Sequence, residues 1–109
     1  MKVKTKIKLR LFVTDQSVTA RRAVENLKAV CDDPIVKQDY DIDLDIVDVN
    51  ESPQSAEENK ILVTPTLLKT LPLPVRRVVG DLSNEEDIFL TLDITASRRP
   101  SKRPEGEPV

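Results

Sequence analysis

The chain has 109 residues, enough for one domain, with 39% apolar and 33% charged residues. That composition supports a small core and excludes a wholly disordered chain. It has no His, no Trp and three aromatic residues, Phe12, Tyr40 and Phe89. Histidine-based acid–base chemistry and Ser-His or Cys-His nucleophile pairs are therefore excluded, and an aromatic stacking platform for single strands or sugars is not expected.

Charge sums to −2, from 17 basic and 19 acidic residues, but it is unevenly spread. Lys2, Lys4, Lys6, Lys8 and Arg10 crowd the first ten positions, whereas residues 32–58 hold ten acids against Lys37 alone. Such an acidic band repels a phosphate backbone, so no nucleic-acid partner is expected. It suits a basic protein surface, or a sheet edge kept solvated by charge. No stretch approaches the roughly 18–20 apolar residues of a membrane span, which points to a cytoplasmic protein without membrane contact. Cys31 is the lone cysteine, so neither an internal disulfide nor a cysteine zinc site is available. No catalytic residue, metal or cofactor is expected.

Ile7, Leu9, Leu11 and Val13 alternate with Lys8, Arg10 and Phe12, so residues 6–13 read as a strand. Ser17 then caps a helix over 18–32, whose apolar face is Ala20, Ala23, Val24, Leu27, Val30 and Cys31. Asp32, Asp33 and Pro34 end it. Ile42, Leu44 and Ile46 alternate with Asp41, Asp43 and Asp45 in a second strand. Val47 and Val49 shift that pattern, marking a bulge or an end buried on both faces. Ser52-Pro53 opens a short helix over 53–60. A third strand follows Thr64-Pro65-Thr66, and a fourth lies around Val75, Val78 and Val79 after the loop at Pro72, Leu73 and Pro74. Gly80-Asp81 turns the chain. Ser83 and Glu86 have capping-box spacing, which predicts a helix over 84–95. The alternation of Ile88, Leu90, Leu92 and Ile94 equally suits a strand. Residues 97–109 carry three prolines, Arg98, Arg99, Lys102 and Arg103, and read as a disordered tail after a domain over 1–96.

The order β-α-β-α-β-β-α predicts an α/β fold of thioredoxin type, a mixed sheet with a cis peptide at Thr64-Pro65. The loop from Thr14 to Thr19, where a thioredoxin keeps its Cys-x-x-Cys, reads Thr-Asp-Gln-Ser-Val-Thr. Dithiol chemistry is absent from it.

Residues 52–67, from Ser52-Pro53-Gln54 through Ile61-Leu62-Val63-Thr64-Pro65-Thr66-Leu67, resemble the signature of the KaiB family, clock proteins of cyanobacteria with relatives in other bacteria. Residues 71–83, containing Pro72, Pro74, Arg76, Arg77, Gly80 and Asp81, resemble it too, as do Leu9–Val13 and Arg22, Ala23, Val24 and Leu27. The resemblance covers roughly residues 6–95 and implies a non-enzymatic protein that binds a KaiC-type ATPase ring. It also implies homo-oligomers, dimers or tetramers, and a C-terminal half able to adopt a second arrangement. By position it assigns Arg22, Glu57, Glu58, Lys60, Arg76 and Arg77 to the partner surface. Thr64, Pro65 and Thr66 become a shaping turn, and Gly80 and Asp81 the turn ahead of the switching segment. Two departures stand out: Asp15 replaces a glycine, and Asp41, Asp43 and Asp45 make acidic a strand that helps clock-type members capture KaiA. That difference favours a KaiA-independent KaiB–KaiC system, for timing or stress adaptation. Two alternatives stay open. One is an adaptor or sensor domain competing with the KaiB-like domains of histidine kinases. The other is a degenerate thioredoxin using Cys31.

Overall fold

A computed structural model describes residues 3–14 and 17–94. Its centre is β1 (Thr5–Val13), whose Ile7, Leu9, Leu11 and Val13 all point into the core. Period-2 alternation puts these four on one face and Lys6, Lys8, Arg10 and Phe12 on the other. α1 (Val18–Cys31) covers the first face with Ala20, Ala23, Leu27 and Val30, and its Ser17 cap accepts the Ala20 amide at 3.1 Å.

Asp32 and Asp33 end α1 as expected, but they do not lead into an open loop. The Asp33 carboxylate accepts the Ile35 amide at 2.9 Å and starts α2 (Pro34–Asp39), with Pro34 in its first turn and Val36 fully buried. Six residues are under two turns, too few to show a helical period, and Pro34 reads as a stop as readily as a start.

β2 (Tyr40–Asp48) pairs parallel with β1 over all nine positions, so there is no bulge at Val47. Val47 sits opposite the fully buried Phe12 while Val13 is buried on the other face. The end of β2 is not buried on both faces either, since Ile46 is exposed, Val47 is half-buried and the partner of Val13 is the charged Asp48. The register break lies instead between Lys8 and Leu9, where β1 meets the antiparallel β3 (Thr66–Leu71). β4 (Arg76–Val79) completes the order β2-β1-β3-β4. The peptides Thr64-Pro65, Leu71-Pro72 and Leu73-Pro74 are cis.

Between β2 and β3 lies α3 (Pro53–Glu58), two residues shorter than predicted because Lys60 adopts a left-handed φ of 56°. Ser52 holds the N-cap position, but its side chain makes no capping bond. α4 (Glu85–Leu92) is helical, which resolves the helix–strand conflict: Ile88, Phe89 and Leu92 are buried, while Leu90 is 55% exposed and breaks the alternation. Its cap is Asn84, accepting the Glu86 amide at 3.0 Å, and not Ser83. Ser83 stands one residue too early because its own amide is bonded to the Asp81 carboxylate. The helix stops at Leu92 and not at 95, since Asp93 turns left-handed at φ 59°.

α1 and α4 pack together on the main core face, with α2 against β2. The opposite face carries a charge ladder in register, Lys6, Lys8 and Arg10 beside Asp41, Asp43 and Asp45. That ladder ends in buried Phe12, Thr66 and Leu68. The tail over 97–109 lies outside the described residues.

Candidate functional site

Register places Val13, Asp48, Thr66 and Val79 at one end of the sheet. The Thr64-Pro65-Thr66 turn occupies the middle of this end and is tied on three sides. The Thr64 hydroxyl shares a hydrogen bond of 2.6 Å with the hydroxyl of Thr14, at the exit of β1. Thr66 Oγ1 donates to the Val63 carbonyl at 2.7 Å, and the Gly80 amide donates to the Pro65 carbonyl at 3.0 Å. Pro65 and Thr66 are buried, so they shape this end without presenting a surface.

Exposed groups surround the turn. Glu57 and Lys60 line a groove of about 670 Å³ together with Thr14, Val49, Ile61 and Thr64. Just beyond them Leu62 is 93% exposed and Val63 is about half exposed. In the sequence these two read as a lead-in to the third strand, whereas here they stand exposed between the left-handed Lys60 and the buried Pro65. Gly80, at φ 121°, makes the expected turn with a conformation that L residues rarely adopt. Asp81 follows it. The Ser83 hydroxyl and amide hold its carboxyl below the usual range, and the nearby Arg22 charge adds to that pull. Asn26, one turn along α1 from Arg22, donates to the Asp81 carbonyl at 3.0 Å. Glu58 faces Gln54 on the outer side of α3, accepting from its amide at 3.1 Å.

Arg76 and Arg77 part company, because adjacent strand residues point to opposite faces. Arg76 Nε donates to Asp93 at 3.1 Å, towards the far end of the sheet. The same carboxylate oxygen accepts from Lys69, whose side chain is wholly buried. Lys69, then burial opposing it, then Arg76 set the Asp93 carboxyl, with a net lowering. Arg77 reaches the other face and binds the backbone after α3: Nη1 donates to the Lys60 carbonyl and Nη2 to the Asn59 carbonyl, both at 3.1 Å. Lys69 escaped notice in the sequence, although its spacing from Leu67 already puts it on the core face.

The KaiB domain family profile matches residues 10–94. A Synechocystis sp. protein named circadian clock protein KaiB3 is 44% identical over 100 residues, which is 92% of this chain and 95% of that one. The chain belongs to the KaiB family. The circadian clock oscillator protein KaiB of Synechococcus elongatus is also 44% identical, over 86 residues, covering 79% of this chain and 81% of its own. Among solved structures, the N-terminal domain of Synechococcus elongatus SasA superposes with a TM-score of 0.66 at 23% identity, covering 88% of this chain and 91% of that one. Mitochondrial thioredoxin 3 of Saccharomyces cerevisiae gives 0.62 at 18%, covering 82% and 78%. These two likenesses establish a thioredoxin-like fold.

This KaiB-family chain keeps the thioredoxin frame without its thiols. Thr14 stands where β1 opens into the loop, while Cys31 closes α1, about 20 Å away at 1.5 Å per residue. Burial, with Asp32 adding to it, pushes the Cys31 thiol up to about 12, so it is not a thiolate at neutral pH. Among the described residues no group of three or more Cys, Asp or Glu side chains is placed to hold a metal ion, and no helix is long and apolar enough to cross a membrane.

Proposed function

We propose that this protein is a cytoplasmic, non-enzymatic regulator that docks onto a KaiC-type ATPase ring and alters its phosphorylation, its ATPase state or its access to other partners. One observation carries this reading within the family. Glu57 and Lys60, assigned to the partner surface by resemblance, line one groove with Thr64 of the cis-proline turn, and Arg22, assigned with them, lies near Asp81. Opposite charges beside the exposed Leu62 and Val63 suit a protein surface with an apolar patch and a mixed charged rim. Arg76 and Arg77 are both engaged within the chain, and of the two only Arg77 reaches the backbone of this surface. The acidic row Asp41, Asp43 and Asp45 favours a system that works without KaiA. Homo-oligomers, with the C-terminal half rearranged, belong to the same proposal.

Co-purification with the KaiC homologue of the same genome, in ATP and in ADP, tests it. Complex formation that weakens in Lys60→Glu is the expected result. No complex in either nucleotide overturns it. An adaptor competing for the ring with a KaiB-like kinase domain is the second reading, supported by the shared fold with the SasA domain alone. Displacement of that domain from the ring is its measurement.

A further inference from the structure

α3 is short, and it is closed at its C-terminal end by the Ile61 amide on the Ala56 carbonyl at 2.9 Å and by Asn59 Nδ2 on the Ser55 carbonyl at 2.7 Å. It has six residues, no buried side chain, no side-chain cap from Ser52 and no basic residue in its last turn. Glu57 and Glu58 sit at its C-terminal end, where the helix dipole is negative and carboxylates are unfavourable. A helix of under two turns is marginal from its own backbone bonds. The missing cation comes from another strand. Arg77 of β4 spreads its two terminal nitrogens over the Asn59 and Lys60 carbonyls, immediately past the helix end.

We infer that Arg77 is a positioning residue for the docking surface: it holds the α3 terminus, and through it Glu57 and Lys60, rather than touching the partner. Of the two acids at the wrong end of the helix, Glu58 is taken by Gln54 within the chain, and Glu57 is the one left for use outside it. Their repulsion from the dipole is offset by a guanidinium that arrives only when β4 is paired in the sheet. Leu68, in register with Arg77, is buried beneath that face, so the position of the guanidinium follows from strand pairing. This inference rests on the KaiC-docking reading for its consequence, but not for its geometry.

Amide exchange without any partner tests the geometry. In Arg77→Ala the Asn59, Lys60 and Ile61 amides should lose about tenfold in protection, as loss of charge-assisted bonds implies. Arg77→Lys keeps the charge but not the planar fork, and should fall between the two; it also serves if the alanine variant does not fold. Unchanged protection in both variants overturns the inference. Binding kinetics on the KaiC homologue test the consequence. Arg77→Ala should weaken binding about tenfold while leaving the salt dependence of association unchanged, because its charge is not at the contact. A reduced salt slope would show that Arg77 itself meets the partner, and would overturn the indirect role. If the unaltered protein fails to bind the ring, the docking reading falls, and the exchange experiment alone decides whether Arg77 holds α3.

Discussion

The two halves of the sheet share one apolar core, but only the C-terminal half adds several directed ties to it. β1 and β2 pair in unbroken register over nine residues each, under a fourteen-residue helix whose Ala20, Ala23, Leu27 and Val30 are buried. β3, β4 and α4 have only six, four and eight residues. Gly80, Leu82 and Asp93 give this half three positive-φ turns. It buries Leu67, Leu82, Ile88, Phe89, Leu92 and Ile94 in the shared core and adds directed ties: Lys69 and Arg76 on Asp93, Asn26 on Asp81, and Arg77 on the backbone after α3. Apolar burial is non-directional and shared among many side chains, so it specifies a face without specifying one contact. Directed ties concentrate their effect in few atoms, and one substitution releases an element. A half built this way is the one suited to the rearrangement proposed for it.

This contrast can be broken by experiment. Leu27→Ala, in the N-terminal half, should cost about 3 kcal/mol in urea unfolding. Amides of both halves should lose protection together, and loss confined to α4 would contradict the contrast. Asp93→Asn keeps a residue tolerant of left-handed backbone but strands the buried Lys69. It should cost about 2 kcal/mol and open β4 and α4 first by amide exchange. Lys69→Met removes the buried charge and should stay within about 1 kcal/mol of the unaltered protein. Acid sharpens the same point. The folded Asp93 carboxyl titrates below its ordinary 3.8, so its ion pairs stabilise the fold above that value and are lost as pH falls through the lowered one. Stability of Asp93→Asn should therefore be flatter than that of the unaltered protein as pH falls below about 5.

Gly80→Ala meets no atom within 4 Å, yet its φ of 121° alone should cost about 1–2 kcal/mol, readable as a lower melting temperature. Smallest of all, Asn84→Ala should cost about 1 kcal/mol, and Ser83→Ala only a few tenths. Equal costs would restore Ser83 as the cap.

Particular residues show how legible the fold was. Ser17 and the three-and-four spacing of α1 predict a helix that the structure reproduces to within a residue at either end. The Asp-x-Asp-x-Asp row is recognisable as one face of a strand, and it pairs with a basic row that is visible in the same way. The resemblance of residues 52–67 and 71–83 to KaiB pointed to the family that the comparisons then established. α2 was hidden because a six-residue helix has no measurable period. The choice of Asn84 over Ser83 was hidden because it turns on where Asp81 spends its carboxylate. In the candidate site, Glu57, Lys60 and Arg22 were assigned by motif, whereas the exposure of Leu62 and the opposite destinations of Arg76 and Arg77 were not read from the sequence.

Local order is therefore determined by the amino-acid sequence itself: where strands and helices lie, which faces are apolar, and that dithiol chemistry is missing. Period and capping act over a few neighbouring residues, so they are written in the chain. Tertiary structure alone decided which charges stay available. Arg76 and Arg77 read alike as surface cations and Lys69 was passed over, and only the approach of Asp93, Asn59 and Lys60, from 17 to 24 residues away, engages all three within the chain. A charge is consumed by whatever folds within about 3 Å of it, and that distance is set by packing and not by sequence spacing.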